Sequence, residues 1–252
     1  MIRTVLIAAM PGELKPLVRG WRHERRNRVD LWRWRYDAGE WIAACAGAGQ
    51  NAATRALAEV EKDGPVASVL SVGWAGALSS SYLPGEAYRA AGVIDTLTGE
   101  RFRVAAFPPL RPKEGARMEH PDIWLATSPK VADAAEKQRL AAAYRAGLVD
   151  MEAAAVARLA AMRGISFQCV KGVSDGLNDQ LPDFNRFLSP EGRFQTVRFA
   201  LFALFHPGYW SALKQMGENS KQASQSIAEL TLNLLDEQGD IRKRNGYPDF
   251  RR

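Results

Sequence analysis

A single α/β domain with a mixed sheet is predicted by three observations. Short apolar runs of strand length recur along the chain with helical patterns between them. No internal repeat or low-complexity block interrupts that alternation. Residues 147–175, GLVDMEAAAVARLAAMRGISFQCVKGVSD, also read as strand, helix and strand in succession. There Leu148 to Met151 forms a strand that ends on Glu152. Apolar residues at Ala153, Val156, Leu159, Ala160 and Met162 mark the buried face of a helix, which Gly164 stops. Ile165 to Val170 forms the second strand, leading into Ser174 and Asp175. Such a unit predicts parallel strands and a right-handed crossover. Both acids would then reach the carboxyl edge of the sheet, where α/β folds bind ligands.

The other elements follow in order. Thr4 to Ala9 is a strand, its exit loop is Met10-Pro11-Gly12-Glu13, and a short helix covers Leu14 to Val18. Leu31 to Tyr36 and Trp41 to Ala46 pair as a hairpin about the turn Asp37-Ala38-Gly39-Glu40. Gly47-Ala48-Gly49 then precedes a helix over Asn51 to Glu61. Without a third glycine and a downstream acid, that loop does not make a dinucleotide site. Val69 to Gly73 is a buried strand with Trp74-Ala75-Gly76-Ala77 as its exit. Tyr88 to Ile94, Phe102 to Phe107 and Trp124 to Thr127 read as strands, and Lys130 to Ala143 as a helix. Pro108 to Pro121 reads as a surface loop. Past Asp175 come a polar loop, the apolar run Val197 to Phe205 and an amphipathic helix from Tyr209 to Leu235. These helices are expected to close one sheet face or form a dimer contact; the lesser readings are a hydrophobic lip for a greasy substrate and an interfacial helix.

Composition narrows the function classes. Two cysteines, Cys45 and Cys169, lie in apolar runs and make no CxxC, which predicts buried free thiols and a reducing cytoplasm. His23, His120 and His206 are scattered, so no metal site is expected. No apolar run is long enough to cross a bilayer, and Met1-Ile2-Arg3 leads directly into a strand, so a cytoplasmic protein is expected. The net charge of +6 is concentrated in Arg19 to Arg35 and in a basic tail over residues 241–252. With no nucleic-acid motif beside it, the first cluster reads as a solvated hairpin whose arginine stems cover aromatic rings.

Five elements in this order carry a family resemblance: Met10-Pro11-Gly12-Glu13, Gly47-Ala48-Gly49, Gly73-Trp74-Ala75-Gly76, Val149-Asp150-Met151-Glu152-Ala153 and Ser174-Asp175. Together they resemble the nucleoside phosphorylase/nucleosidase superfamily, in particular its methylthioadenosine/S-adenosylhomocysteine nucleosidases. The shortened stretch between Phe107 and Val149, with its VDMEAAA form, also resembles a hopanoid-associated branch that takes an adenosyl lipid. The match ends at Asp175, and residues 185–240 form a divergent helical part. The resemblance implies a three-layer α/β/α sandwich around a twisted mixed sheet, a homodimer, a purine nucleoside as ligand and no cofactor.

Carried onto this chain, the resemblance gives each residue a role. Glu152 would accept hydrogen bonds from the ribose hydroxyls, and Met151 would pack beneath the sugar. Asp175, with Ser174 beside it, would act on N7 of the base, and Glu13 would orient and deprotonate water. Breaking an N-glycosidic bond builds positive charge on the sugar and negative charge on the base, so acids at both ends suit it. Each acid alone is more often a cap, a turn residue or a helix-terminus charge; the set in order at strand ends favours a site. Gly73 and Trp74 fall where the phosphorylases hold phosphate. An indole there supplies neither charge nor hydroxyl, so water is the expected nucleophile. A phosphate-dependent enzyme and a non-catalytic nucleoside-binding or membrane-surface protein are the alternatives.

Overall fold

The computed structural model describes residues 2–36, 39–105, 123–189 and 191–237. Its eleven strands form one sheet in the order β2-β3-β4-β1-β5-β10-β9-β7-β8, with β11 beside β5 and β6 beside β11. β1 (Ile2–Ala8), β4 (Gly39–Cys45), β5 (Ser68–Ala77) and β11 (Ser166–Asp175) run parallel as one block. β7 (Gly92–Asp95), β9 (Trp124–Thr127) and β10 (Leu148–Asp150) form a second parallel block. The blocks meet antiparallel at β5 and β10. β2 (Arg22–Arg26), β3 (Val29–Tyr36), β6 (Ala87–Arg89) and β8 (Arg101–Arg103) are antiparallel to their neighbours.

Period-two alternation sorts the strands onto two cores. Val5, Ile7, Ile42, Ala44 and Val69 face a core completed by α2 (Gln50–Glu61) and α4 (Ala153–Arg163). Leu6, Ala8, Trp41, Ala43, Leu70 and Val72 face the opposite core, completed by α1 (Pro11–Leu14) and α6 (Trp210–Glu237). A third cluster, Ala126, Leu140 and Val149 among its members, joins the second block to α3 (Ala134–Tyr144). The three-layer expectation is borne out.

Several local expectations change. β10 and β11 run in opposite directions, so the predicted parallel pair with its right-handed crossover is overturned. β10 meets only the last two residues of β5, where the sheet reverses, and α4 bridges the two blocks. Val69 to Gly73 extends through Ala77, so Trp74 and Gly76 lie inside β5 rather than in its exit. Tyr88 to Ile94 divides, because Ala90 bonds to Cys169 while Ala91 already bonds to Ile123 of the other block. The first helix begins at Pro11 and ends at Leu14, earlier than its apolar spacing suggested. Met162 is 76% exposed: six residues after Val156 it has rotated off the buried face. Gly164 does end α4, at φ 65°. The surface loop at 108–121, part of the turn at 37–40 and the basic tail lie outside the described residues.

In the arginine-rich hairpin, Trp21 and Trp41 are buried in the α6-side core rather than merely covered. Arg26 and Arg33 both bond Asp63, and Arg33 also holds Glu24 at 2.8 Å. Hydrogen bonds from Arg26, outweighing desolvation, bring the Asp63 carboxyl down to about 2. Both cysteines are buried and free, as expected, and burial pushes each thiol up to about 12.

Packing of α6 against β11 depends on Gly172, where an added Cβ would stand 2.9 Å from the Cβ and carbonyl oxygen of Ala223. Gly172→Ala is therefore expected to lower the unfolding free energy by about 1–3 kcal/mol through overpacking. Urea denaturation reads this directly; an unchanged midpoint would mean that α6 is not seated there.

Candidate active site

Gly76 is the point where the site's elements converge. It pairs with Val149 of β10 on one side and with Asp175 of β11 on the other. Asp175 thus arrives at the carboxyl end of its strand. Glu152 arrives from the opposite direction, just past the end of β10. Glu13 follows β1 on α1. All three line one cavity of 950 Å³, together with Met151, Trp74, Ser174, Asp150 and Lys137. Gly73 is not among its lining residues, and its role is structural instead.

Glu13 is 4% exposed. Its Oε2 accepts from the backbone N–H groups of Ala9 at 2.8 Å and Met10 at 2.7 Å, and its Oε1 from that of Trp74 at 2.8 Å. Burial raises its carboxyl above the ordinary carboxylate range, opposed by those N–H bonds and by Lys171. Gly73 makes the space: its φ is 142°, and a Cβ there would stand 2.7 Å from Oε1 of Glu13. The Trp74 indole closes the neighbouring side, its Nε1 donating to Ser224 Oγ at 2.9 Å on α6.

Glu152 precedes the first turn of α4 but does not cap it. Asp150 does, accepting from the N–H of Ala153 at 2.9 Å. The Glu152 carboxylate instead accepts from the N–H of Gly49 at 2.6 Å, which is the function of the Gly47–Gly49 loop. Burial, then the charge of Asp150, raises Glu152 to about 8, against the pull of Lys171 and the Gly49 bond.

No helix begins at Asp175, the next starting at Phe184, so the helix-capping interpretation of Ser174-Asp175 fails. Ser174 Oγ bonds Asp175 Oδ1 at 2.5 Å. Lys137 of α3, 2% exposed, donates to Asp175 Oδ2 and to the Gly176 carbonyl. Asp175 is therefore not walled by apolar strands alone: a buried ammonium stands behind it.

Sequence reasoning missed both lysines of the site. Lys137 lies in Glu136-Lys137-Gln138-Arg139, which reads as a solvent face; its one signal is that it shares the inward side of α3 with Leu140. Lys171 interrupts an apolar strand, and its Nζ meets Asp150 at 2.9 Å with both side chains buried. Desolvation works against the Lys171 ammonium, yet Asp150 and the neighbouring acids hold its pKa above that of an ordinary lysine. Among the described residues no cluster of His, Cys, Asp and Glu has the arrangement of a metal site.

The chain belongs to the phosphorylase superfamily, whose family pattern it matches over residues 3–123 and 112–203. Its fold is similar to that of a mutant Helicobacter pylori methylthioadenosine/S-adenosylhomocysteine nucleosidase solved with 5′-methylthioadenosine in its active site. The TM-score is 0.71 at 14% identity, over 94% of this chain and 99% of that one. Futalosine hydrolase of Helicobacter pylori aligns with a TM-score of 0.72 at 14% identity, over 94% and 98%. The methylthioadenosine nucleosidase of Arabidopsis thaliana aligns at 0.70 and 15%, over 97% and 98%. No curated protein sequence matches the chain.

Two outcomes test this geometry. Gly73→Ala should both strain the backbone, by about 1–3 kcal/mol, and displace the Glu13 carboxylate; calorimetry gives the first and ligand binding the second. Glu152→Gln tests the raised carboxyl. With a folded value of about 8 against an ordinary 4.5, the folded state keeps a proton that the unfolded state releases across that window. Its contribution to stability therefore falls as pH rises between those values. The Gln variant should gain thermal stability relative to the unsubstituted protein across the same range. Parallel profiles would show Glu152 to be ordinary.

Proposed function

We propose that the protein hydrolyses the N-glycosidic bond of a purine nucleoside, adenine being the favoured base. The observation that carries this reading is Glu13 on its three backbone N–H groups. These three N–H donors already hold a carboxylate, and a phosphate dianion beside it would be repelled; a phosphate would have to rely instead on Lys15, Arg19 and Lys221 elsewhere on the cavity wall. Water is the nucleophile this arrangement suits. Glu13, its carboxyl raised above the ordinary range by burial, orients the water and takes its proton.

Glu152 accepts from the ribose hydroxyls, and Met151 lies under the sugar. Asp175 meets the base, where Lys137 supplies positive charge as electrons flow onto the leaving purine. Trp74 fills the room a phosphate would need. The far wall of the cavity includes Phe184, Phe194, Phe199 and Leu213, which follow the last of the acids in the chain. That apolar surface suits an apolar 5′ substituent, and it supports the lipid-linked adenosine as a substrate alongside methylthioadenosine.

Chromatographic release of free base tests this, using methylthioadenosine, S-adenosylhomocysteine, adenosine and inosine with and without phosphate. Adenine release independent of phosphate is expected, falling about 10²–10⁴-fold in Glu13→Gln and in Asp175→Asn. Activity should rise with pH through the raised Glu13 value, because the base must be ionised to act. Release that requires phosphate would make the enzyme a phosphorylase. Nucleoside binding without any release, unchanged by Asp175→Asn, would make it a binding protein.

A further inference from the structure

We infer that the outward face of α5 (Thr196–Phe205), with Trp210 beyond its end, docks on the surface of an anionic lipid bilayer. Nine large hydrophobic side chains are exposed among the described residues, and five of them crowd this segment: Val197, Leu201, Leu204, Phe205 and Trp210. On α5 they fall at i, i+4, i+7 and i+8, which places them on one stripe. Val197 is 77% exposed and Phe205 75%. No α5 residue is buried. The helix rests on the fold through Phe199 and Phe202, whose rings meet Phe187 at 5.3 and 5.2 Å. The aliphatic stripe is therefore an outer surface.

Charge selects the occupant. Between residues 192 and 217 the only Lys, Arg, Asp or Glu residues are Arg193, Arg198 and Lys214; all three are exposed, and Lys214 lies 3.9 Å from Glu218, just beyond this stretch. An apolar stripe edged by cations is the composition of a helix lying in the headgroup region of an anionic membrane. A second copy of the chain is disfavoured, because a two-fold contact on this face would gather the cations of both copies at one apolar interface. The Trp210 Nε1 donates to the Ala203 carbonyl at 2.7 Å, so the exposed indole has its polar atom satisfied within the chain. No helix is long and apolar enough to cross a membrane, so the contact lies on the surface. This docking goes beyond bond cleavage and does not depend on it. It also gives α5 two sides of different use, since Phe199 lines the cavity of the acids.

Co-sedimentation of the full chain with vesicles decides the matter. The chain should pellet with phosphatidylcholine vesicles containing phosphatidylglycerol, and remain in the supernatant with phosphatidylcholine alone or at high salt. Leu201→Glu/Phe205→Glu should lower partitioning more than about tenfold. Arg198→Gln and Lys214→Gln should each lower it by about fivefold, all with unchanged thermal unfolding. Failure of the unsubstituted chain to pellet with any vesicle would overturn the proposal. So would retention undiminished in the double variant, the result expected if the basic tail alone bound lipid. A halved sedimentation mass in the double variant, with vesicle binding unaltered, would assign the face to a second copy.

Discussion

Four carboxyl groups, Glu13, Asp150, Glu152 and Asp175, are buried around one cavity, and two buried lysines answer them. That imbalance governs the local structure. Like charges removed from water must be paired, given N–H donors, or left protonated, and the fold does all three. Asp150 and Asp175 each take a lysine. Glu13 takes three N–H groups. Glu152 has the Gly49 N–H and a pull from Lys171 that does not offset its burial, and its carboxyl is raised to about 8. The glycines and loops around the cavity are placed to meet those needs.

The sheet reversal serves the same end. Were β10 parallel to β5, its carboxyl end would point to the edge of the sheet, and the residues after it would leave along the strand direction. Running the other way, it delivers Asp150 and Glu152 back toward Trp74 and Gly49. Asp150 also receives the Thr127 hydroxyl at 2.7 Å, and Thr127 in turn receives the N–H of Ala154 at 3.0 Å. Two short strands and the start of α4 are thereby locked together beneath the site.

The layer order, most strand positions and the identity of the three acids were legible in the sequence because they rest on periodicity and on residue types at strand ends. Strand direction was not. A strand–helix–strand pattern fits a bridge between opposed blocks as well as a parallel crossover, and the two differ only in which residues of β5 are met. Trp74-Ala75-Gly76-Ala77 resembled an exit because small residues suit turns, yet here small residues let Lys137 and Asp175 approach β5: a Cβ at Gly76 would stand 2.9 Å from Lys137 Cε. The lysines were illegible for a related reason. A lysine is ordinarily solvated, and only the buried acids opposite, distant in sequence, explain why these two are not.

Trp74 spans two levels of the molecule. Its backbone holds Glu13, while its indole is tied to Ser220 and Ser224 of α6. The acid cluster comes from residues 13 to 175, whereas the apolar wall comes from residues 184 to 213, of which only those past 203 lie outside the superfamily match. The tryptophan is the joint between the acid cluster and its apolar cover. Exchange of the segment from Phe184 to Leu213 could thus change what fits beyond the sugar while the acids kept their places, so that selectivity and reactivity are separable along this one chain.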